Sequence, residues 1–111
     1  MNTAYSYKDI VLKPSYSEIR SRSSLDASVK FLGKTFESAA IPANMKCTIN
    51  FKKARELSEA GYFYVLHRFY DYEDILDWMI ENKDMETISI SVGVNKKDRE
   101  FIDKIVEQNI R

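Results

Sequence analysis

The chain has 111 residues, enough for one domain or part of one, and its 44% apolar and 31% charged side chains argue against a membrane protein. Its 17 Lys and Arg balance 17 Asp and Glu, so it offers no electrostatic footprint for nucleic acid or an acidic lipid surface. No apolar run approaches the ~20 residues of a membrane helix, and the opening MNTAYSYKDI lacks the basic start and apolar stretch of a signal peptide.

Residues 5–36 read as irregular. They contain Pro14, serines at 21, 23 and 24, and Gly33, with short strands expected at 10–12 and 29–31. From Ser38 onward the texture becomes alternating. Ser38-Ala39-Ala40-Ile41-Pro42 reads as a small-residue strand that ends in the loop Ala43-Asn44-Met45-Lys46-Cys47. A helix over 51–60 follows, with Phe51, Ala54, Leu57 and Ala60 spaced for one face. Asn50 suits its N-cap and Gly61 its C-terminal end.

The run YFYVL at 62–66 is aromatic and β-branched, so it reads as a strand, and its tyrosines and phenylalanine read as core. It leads into His67-Arg68-Phe69. Asp71 is placed to cap the next helix, where Tyr72, Ile75, Leu76 and Met79 share a face and Asn82-Lys83-Asp84 closes it. The third strand, TISISVGV at 87–94, puts Ile88, Ile90, Val92 and Val94 on one side. Ser89, Ser91 and Gly93 on the other are small, which suits a crowded barrel interior. A last helix follows Asn95, with Phe101, Ile102, Ile105 and Val106 as its apolar stripe.

Strand–helix alternation with short connections implies an α/β fold with a parallel sheet and helices packed outside. Three parallel strands leave both sheet edges open, and a (β/α)8 TIM barrel takes ~250 residues. Spacing alone therefore leaves two readings, a small three-strand α/β domain or part of a barrel.

In parallel α/β folds ligands sit at the C-terminal ends of the strands. That rule points to the loops at 43–47, 67–69 and 93–96. Arg68 at a strand mouth suits a phosphate or carboxylate, because its guanidinium donates two parallel hydrogen bonds. The single cysteine, Cys47, cannot form an internal disulfide and fits a reducing cytoplasm. Lys46 is the only cation beside it, so nothing marks it as a nucleophile. The one histidine, His67, and this one cysteine make no zinc site by themselves. With only three glycines, Gly33, Gly61 and Gly93, neither G-x-G-x-x-G nor a P-loop is possible.

Four blocks carry a resemblance. Tyr7-Lys8-Asp9-Ile10-Val11-Leu12-Lys13-Pro14, followed by Ser21-Arg22-Ser23 and Asp26, resembles the opening of the GMP reductase / IMP dehydrogenase family. Ile41-Pro42-Ala43-Asn44-Met45 resembles the first-strand motif of its reductase branch; the dehydrogenases usually carry a small residue, Pro and Met there. Tyr62-Phe63-Tyr64-Val65-Leu66-His67-Arg68-Phe69 and Ser89-Ile90-Ser91-Val92-Gly93-Val94 resemble the second and third strands of the bacterial reductases. The blocks keep the family's order and spacing across nearly the whole chain.

The resemblance implies NADPH-dependent reductive deamination of GMP to IMP and ammonia by a homotetramer of (β/α)8 barrels in the cytoplasm. Residues 1–37 would form an N-terminal segment outside the barrel, and 38–111 the first three βα units. Asn44 and Met45 would contact the substrate nucleotide and Arg68 the cofactor. Ser21 and Arg22 would contact NADPH bound to a neighbouring subunit. The family's catalytic cysteine, its activating threonine and its glycine-rich phosphate site lie on later loops. No catalytic residue and no metal ligand is therefore assigned, and the 111 residues are expected to bind rather than catalyse. Lys46-Cys47 departs from the usual polar pair after Asn-Met. Two other readings remain: a non-catalytic remnant or interaction module associating with a full-length reductase, and an IMP dehydrogenase-type oxidoreductase.

Overall fold

The computed structural model describes residues 3–110. Met1, Asn2 and Arg111, where the expected divisions begin and end, lie outside the described residues. Every residue from 3 to 28 is exposed. Two short 3-10 turns punctuate this arm, Tyr7–Asp9 and Arg22–Ser24. The Asp9 carboxylate closes the first by accepting from the backbone N and the Oγ of Ser6, both at 2.7 Å. The strand expected at 10–12 is absent: Ile10, Val11 and Leu12 are exposed and irregular. Apolar, β-branched residues favour a strand only where a neighbour can pair with the backbone, and no partner is adjacent.

The strand expected at 29–31 is present, as half of a hairpin. β1 (Val29–Phe31) pairs antiparallel with β2 (Lys34–Phe36), Val29 opposite Phe36 and Phe31 opposite Lys34. The connecting pair, Leu32 and Gly33, has φ of 50° and 76°. Two consecutive positive φ values match a type I′ turn, whose twist suits a tight hairpin; glycine adopts this freely and leucine does not. Phe31 and Phe36 both meet the Phe63 ring edge-on, at 5.0 and 5.4 Å. Lys34 Nζ donates to the Glu86 carbonyl, tying the hairpin to the approach of the third strand segment.

Three helices follow among the described residues. α1 (Phe51–Glu59) is capped by Asn50, whose Oδ1 accepts from Lys53 N at 2.8 Å. It ends where Gly61 turns to φ 78° and Tyr62 N reaches back to the Leu57 carbonyl at 2.9 Å, a left-handed stop that glycine permits at little cost. Ala60, expected on the apolar face, is exposed because it lies at that stop. Asn50→Ala is expected to lower stability by about 1 kcal/mol, read as a drop in the urea midpoint. An unchanged midpoint would show that the cap contributes nothing.

α2 (Tyr72–Glu81) has Asp71 at its N-cap position, but that side chain makes no capping bond. Glu73 and Asp74 in the first turn supply the negative charge that the helix dipole favours there. Arg55 reaches from α1 to the far end of α2. Its Nη1 donates to Asn82 Oδ1 at 2.9 Å and its Nη2 to Asp84 Oδ2 at 2.9 Å. The bond to Asp84, and a second to Glu59, raise the guanidinium pKa further, so the charge is permanent.

α3 (Lys96–Glu107) starts at Asn95, whose N–H donates to Asp98 Oδ2 at 2.8 Å. Its expected stripe is only half realised. Phe101 is buried and Ile105 packs on the core, while Ile102 and Val106 are exposed. The helix has a neighbour on the α2 side, and periodicity cannot say how wide a covered face will be.

The core lies between the helices and the two extended segments. Tyr64 and Leu66 are fully buried against Ile75, Trp78 and Phe101, and Ile88, Ile90 and Val92 pack against the same cluster. The three expected strands are far less regular than their sequences suggest. Residues 38–42 form no strand, and 62–66 and 87–94 share a single parallel bridge, Leu66 with Ile90. Leu66 N donates to the Ser89 carbonyl at 2.8 Å, and Ser91 N donates to the Leu66 carbonyl at 3.0 Å. The face of the third segment that was expected to continue to Val94 stops short: Val94 is 83% exposed. Slanted parallel pairing is the weaker kind, so side chains carry what the ladder does not. Tyr64 Oη donates to the Thr87 carbonyl at 2.7 Å, and burial pushes its phenol pKa up to about 12. Of the other expected core aromatics, Tyr62 and Phe63 are half-buried. No helix among the described residues is long and apolar enough to cross a membrane.

Candidate functional site

The Leu66–Ile90 bridge aligns the ends of the second and third extended segments. The first loop joins them through Asn44, whose Nδ2 donates to Ser91 Oγ at 2.9 Å. Residues 45–48 make a tight turn, with Thr48 N and Ile49 N both bonded to the Met45 carbonyl at 2.9 and 3.0 Å. That turn leaves Met45 and Cys47 exposed while burying Ile49. The first loop is therefore joined to the end of the third segment, which the bridge sets beside the end of the second. The small side chains of Ser89 and Ser91 matter here, because a larger residue at 91 would displace the Asn44 amide.

His67 opens the second loop. It is only 2% exposed, its Nδ1 accepts from Phe69 N at 3.1 Å, and its ring stacks on Tyr70 at 4.6 Å. Tyr70 stacks in turn on Phe51 of α1 at 3.9 Å. Arg68, the next residue, is exposed, with its guanidinium 5.7 Å from the Phe69 ring centre.

The third loop brings an acid that the sequence reading missed. Asp98 accepts from Tyr72 Oη through Oδ1 and from Asn95 N through Oδ2. The Tyr72 hydroxyl chiefly, then the Asn95 amide, with Lys97 and Arg68 adding positive charge, hold its carboxyl below the usual carboxylate range. The Tyr72 ring stacks on Phe101 at 4.1 Å, which fixes the hydroxyl. A cavity of about 210 Å³ opens beside this group, lined by Arg68, Tyr70, Asp71, Tyr72, Lys97 and Asp98. One signal for Asp98 was present in the sequence: an asparagine followed three residues later by an acid is a capping pattern. Its bond to Tyr72, 26 residues away, had no local signature.

Ser21 and Arg22 are not part of this mouth. Ser21 spends its polar atoms within its own turn. Its Oγ pairs with Ser23 Oγ at 2.8 Å and accepts from Ser23 N at 3.3 Å, and its carbonyl accepts from Ser24 Oγ at 2.6 Å. Arg22 is exposed on the arm.

Known proteins are similar to this chain. The chain is 41% identical to the GMP reductases of Bacillus licheniformis and Bacillus subtilis, over 99% of its own length and 34% of theirs. The GMP reductase of Lactobacillus johnsonii is 42% identical over 96% of the chain and 32% of the relative. Among solved structures, the inosine 5′-monophosphate dehydrogenase of Legionella pneumophila superposes with a TM-score of 0.70 at 25% identity, covering 96% of this chain and 33% of that one. No protein-family model matches. The chain spans about a third of the length of the curated relatives it matches. By these matches it belongs to the GMP reductase / IMP dehydrogenase family, over a stretch consistent with an N-terminal portion of its members.

Proposed function

We propose that this chain supplies one rim of the nucleotide and cofactor site of a GMP reductase, which converts GMP to IMP and ammonia at the expense of NADPH. The observation that supports this most is the meeting of loops at the ends of the extended segments. Asn44 is bonded to Ser91, and Arg68 lines a cavity with Lys97 and Asp98 at the start of α3. In this reading residues 38–111 are the first three βα units of a (β/α)8 barrel, and 1–37 an arm outside it. Asn44 and Met45 face the substrate nucleotide. Arg68 takes a cofactor phosphate, with its fork of donors matched to the phosphate oxygens. Ser21 and Arg22, on the exposed arm, reach cofactor held by a neighbouring subunit of a cytoplasmic homotetramer. None of these residues exchanges hydride or forms a bond to the purine; their work is to bind and orient.

The test is calorimetric titration of NADPH and of GMP into the protein. Arg68→Ala and Arg22→Ala should each weaken NADPH by ~10–100-fold, the scale of a charge-assisted phosphate contact of about 1.5–3 kcal/mol, and leave GMP within about threefold. Unchanged NADPH affinity in both variants would remove these residues from a cofactor site.

A further inference from the structure

The most deeply buried polar side chain of the mouth has no part in the function just described. His67 is 2% exposed and sits immediately before the exposed Arg68. Its Nδ1 accepts the Phe69 amide at 3.1 Å, closing the turn around Arg68 from the inside. Its ring lies between that turn and Tyr70, stacked at 4.6 Å and 18°, and Tyr70 is pinned by Phe51 at 3.9 Å and 10°. An acceptor at Nδ1 requires the neutral imidazole that carries its proton on Nε2. We propose that His67 is the positioning residue of this mouth: its neutral, Nε2-protonated ring holds the 67–70 turn that presents Arg68 to an anionic ligand.

The surroundings favour the neutral ring. Burial opposes charge on it, and the Lys46 ammonium of the first loop acts in the same sense, so its pKa lies below the ordinary 6.5. Its own turn adds the cation of Arg68 and the phenol of Tyr70. α1 contributes the uncharged Phe51 behind Tyr70, and the third segment offers the neutral Ser89 and Ser91 beside Leu66. Asp71 and Asp98 lie around Arg68 on the cavity side. The sign follows. A group whose folded pKa is depressed contributes fully above its unfolded value of ~6.5, and that contribution is lost as pH falls through the folded value. Protonation would put a second N–H against the Phe69 amide and undo the turn. The site is therefore arranged to hold Arg68 in place at neutral pH and to release it in acid.

His67 is the only histidine in the chain, so its signals need no assignment. Long-range ¹H–¹⁵N correlation on the 111-residue protein at neutral pH should show Nδ1 unprotonated and Nε2 protonated. The ring should titrate below its unfolded value, with the Phe69 and Arg68 amide shifts following the same curve. An Nδ1-protonated ring, or amides indifferent to its titration, would overturn the proposal.

Two variants separate positioning from packing. His67→Asn keeps an acceptor at the reach of Nδ1 without a titratable group, so it should preserve Phe69 amide protection and abolish the pH dependence. His67→Phe keeps the stack on Tyr70 without the acceptor, so it should lose that protection by about tenfold or more. Equal protection in wild type and His67→Phe would sink the idea, provided the circular dichroism of the two agrees. The link to the cofactor rests on the function proposed above and is read separately. NADPH affinity should fall about tenfold in His67→Phe and stay within about threefold in His67→Asn. If wild type does not bind NADPH while the amide results hold, the cofactor reading fails and the positioning role stands.

Discussion

Replacing Ile75 by alanine is expected to lower the unfolding free energy by about 2–4 kcal/mol. Ile75 is fully buried at the centre of α2, in one cluster with Tyr64, Leu66, Trp78, Met79 and Phe101. Alanine removes the transfer energy of the lost carbons and leaves a void that these rings cannot fill without leaving their stacks. Tyr64 is held by its bond to the Thr87 carbonyl and Phe101 by the Tyr72 ring, so collapse into the void is resisted. Single domains are stable by only ~5–15 kcal/mol, so one substitution takes a large share. Urea unfolding followed by circular dichroism should show a lower midpoint with an unchanged slope. Ile102→Ala is the control. Ile102 is exposed on α3, so its replacement should cost less than a quarter as much. Equal losses at the two positions would mean that the buried cluster is not the core.

The second large effect is expected at Gly93. A side chain there would run directly into the Asp98 carboxylate. That carboxylate cannot retreat without giving up the Asn95 amide at the start of α3 and the Tyr72 hydroxyl of α2. Gly93→Ala is therefore expected to destabilise by about 1–3 kcal/mol, the range for overpacking an occupied space. The cost should fall by more than half when alanine is introduced into an Asp98→Ala background, because the clash partner is gone. A double-mutant cycle by urea unfolding measures this coupling. Additive effects would show that glycine is needed at 93 for a reason other than Asp98.

These substitutions touch different levels of the structure. Ile75 lies on a face that repeats every three or four residues, and its burial was legible from that spacing. The same is true of Asn50 and Gly61 at the ends of α1, and of Asn95 at the start of α3. Helix ends are set by local chemistry, since four donors or acceptors at each end need partners close in sequence. The family membership was legible too, in blocks of contiguous residues. The position of Arg68 at a strand mouth followed from strand–helix alternation.

The extended segments were legible in direction but not in pairing. The alternation at 87–94 fixed which side faces the helices, and Ile88, Ile90 and Val92 do pack there. It could not show that the ladder would narrow to one bridge at Leu66 and Ile90, because pairing depends on which backbone lies alongside. Residues 10–12 are the extreme case, strand-like in composition and unpaired on an exposed arm. The hairpin turn at Leu32-Gly33 was half legible, for glycine marks a positive φ but leucine hides one.

Sequence by itself thus determined the three helices, the Asn50 cap of α1, the α/β order and the family. Each depends on residues close together along the chain. Only the tertiary structure decided that Asn44 meets Ser91, that Tyr72 and Asp98 bond across two helices, and that His67 is buried behind Arg68. Those contacts join residues brought together by packing. Their partners are chosen by distance in space and by the exclusion of water, and neither leaves a mark in local spacing.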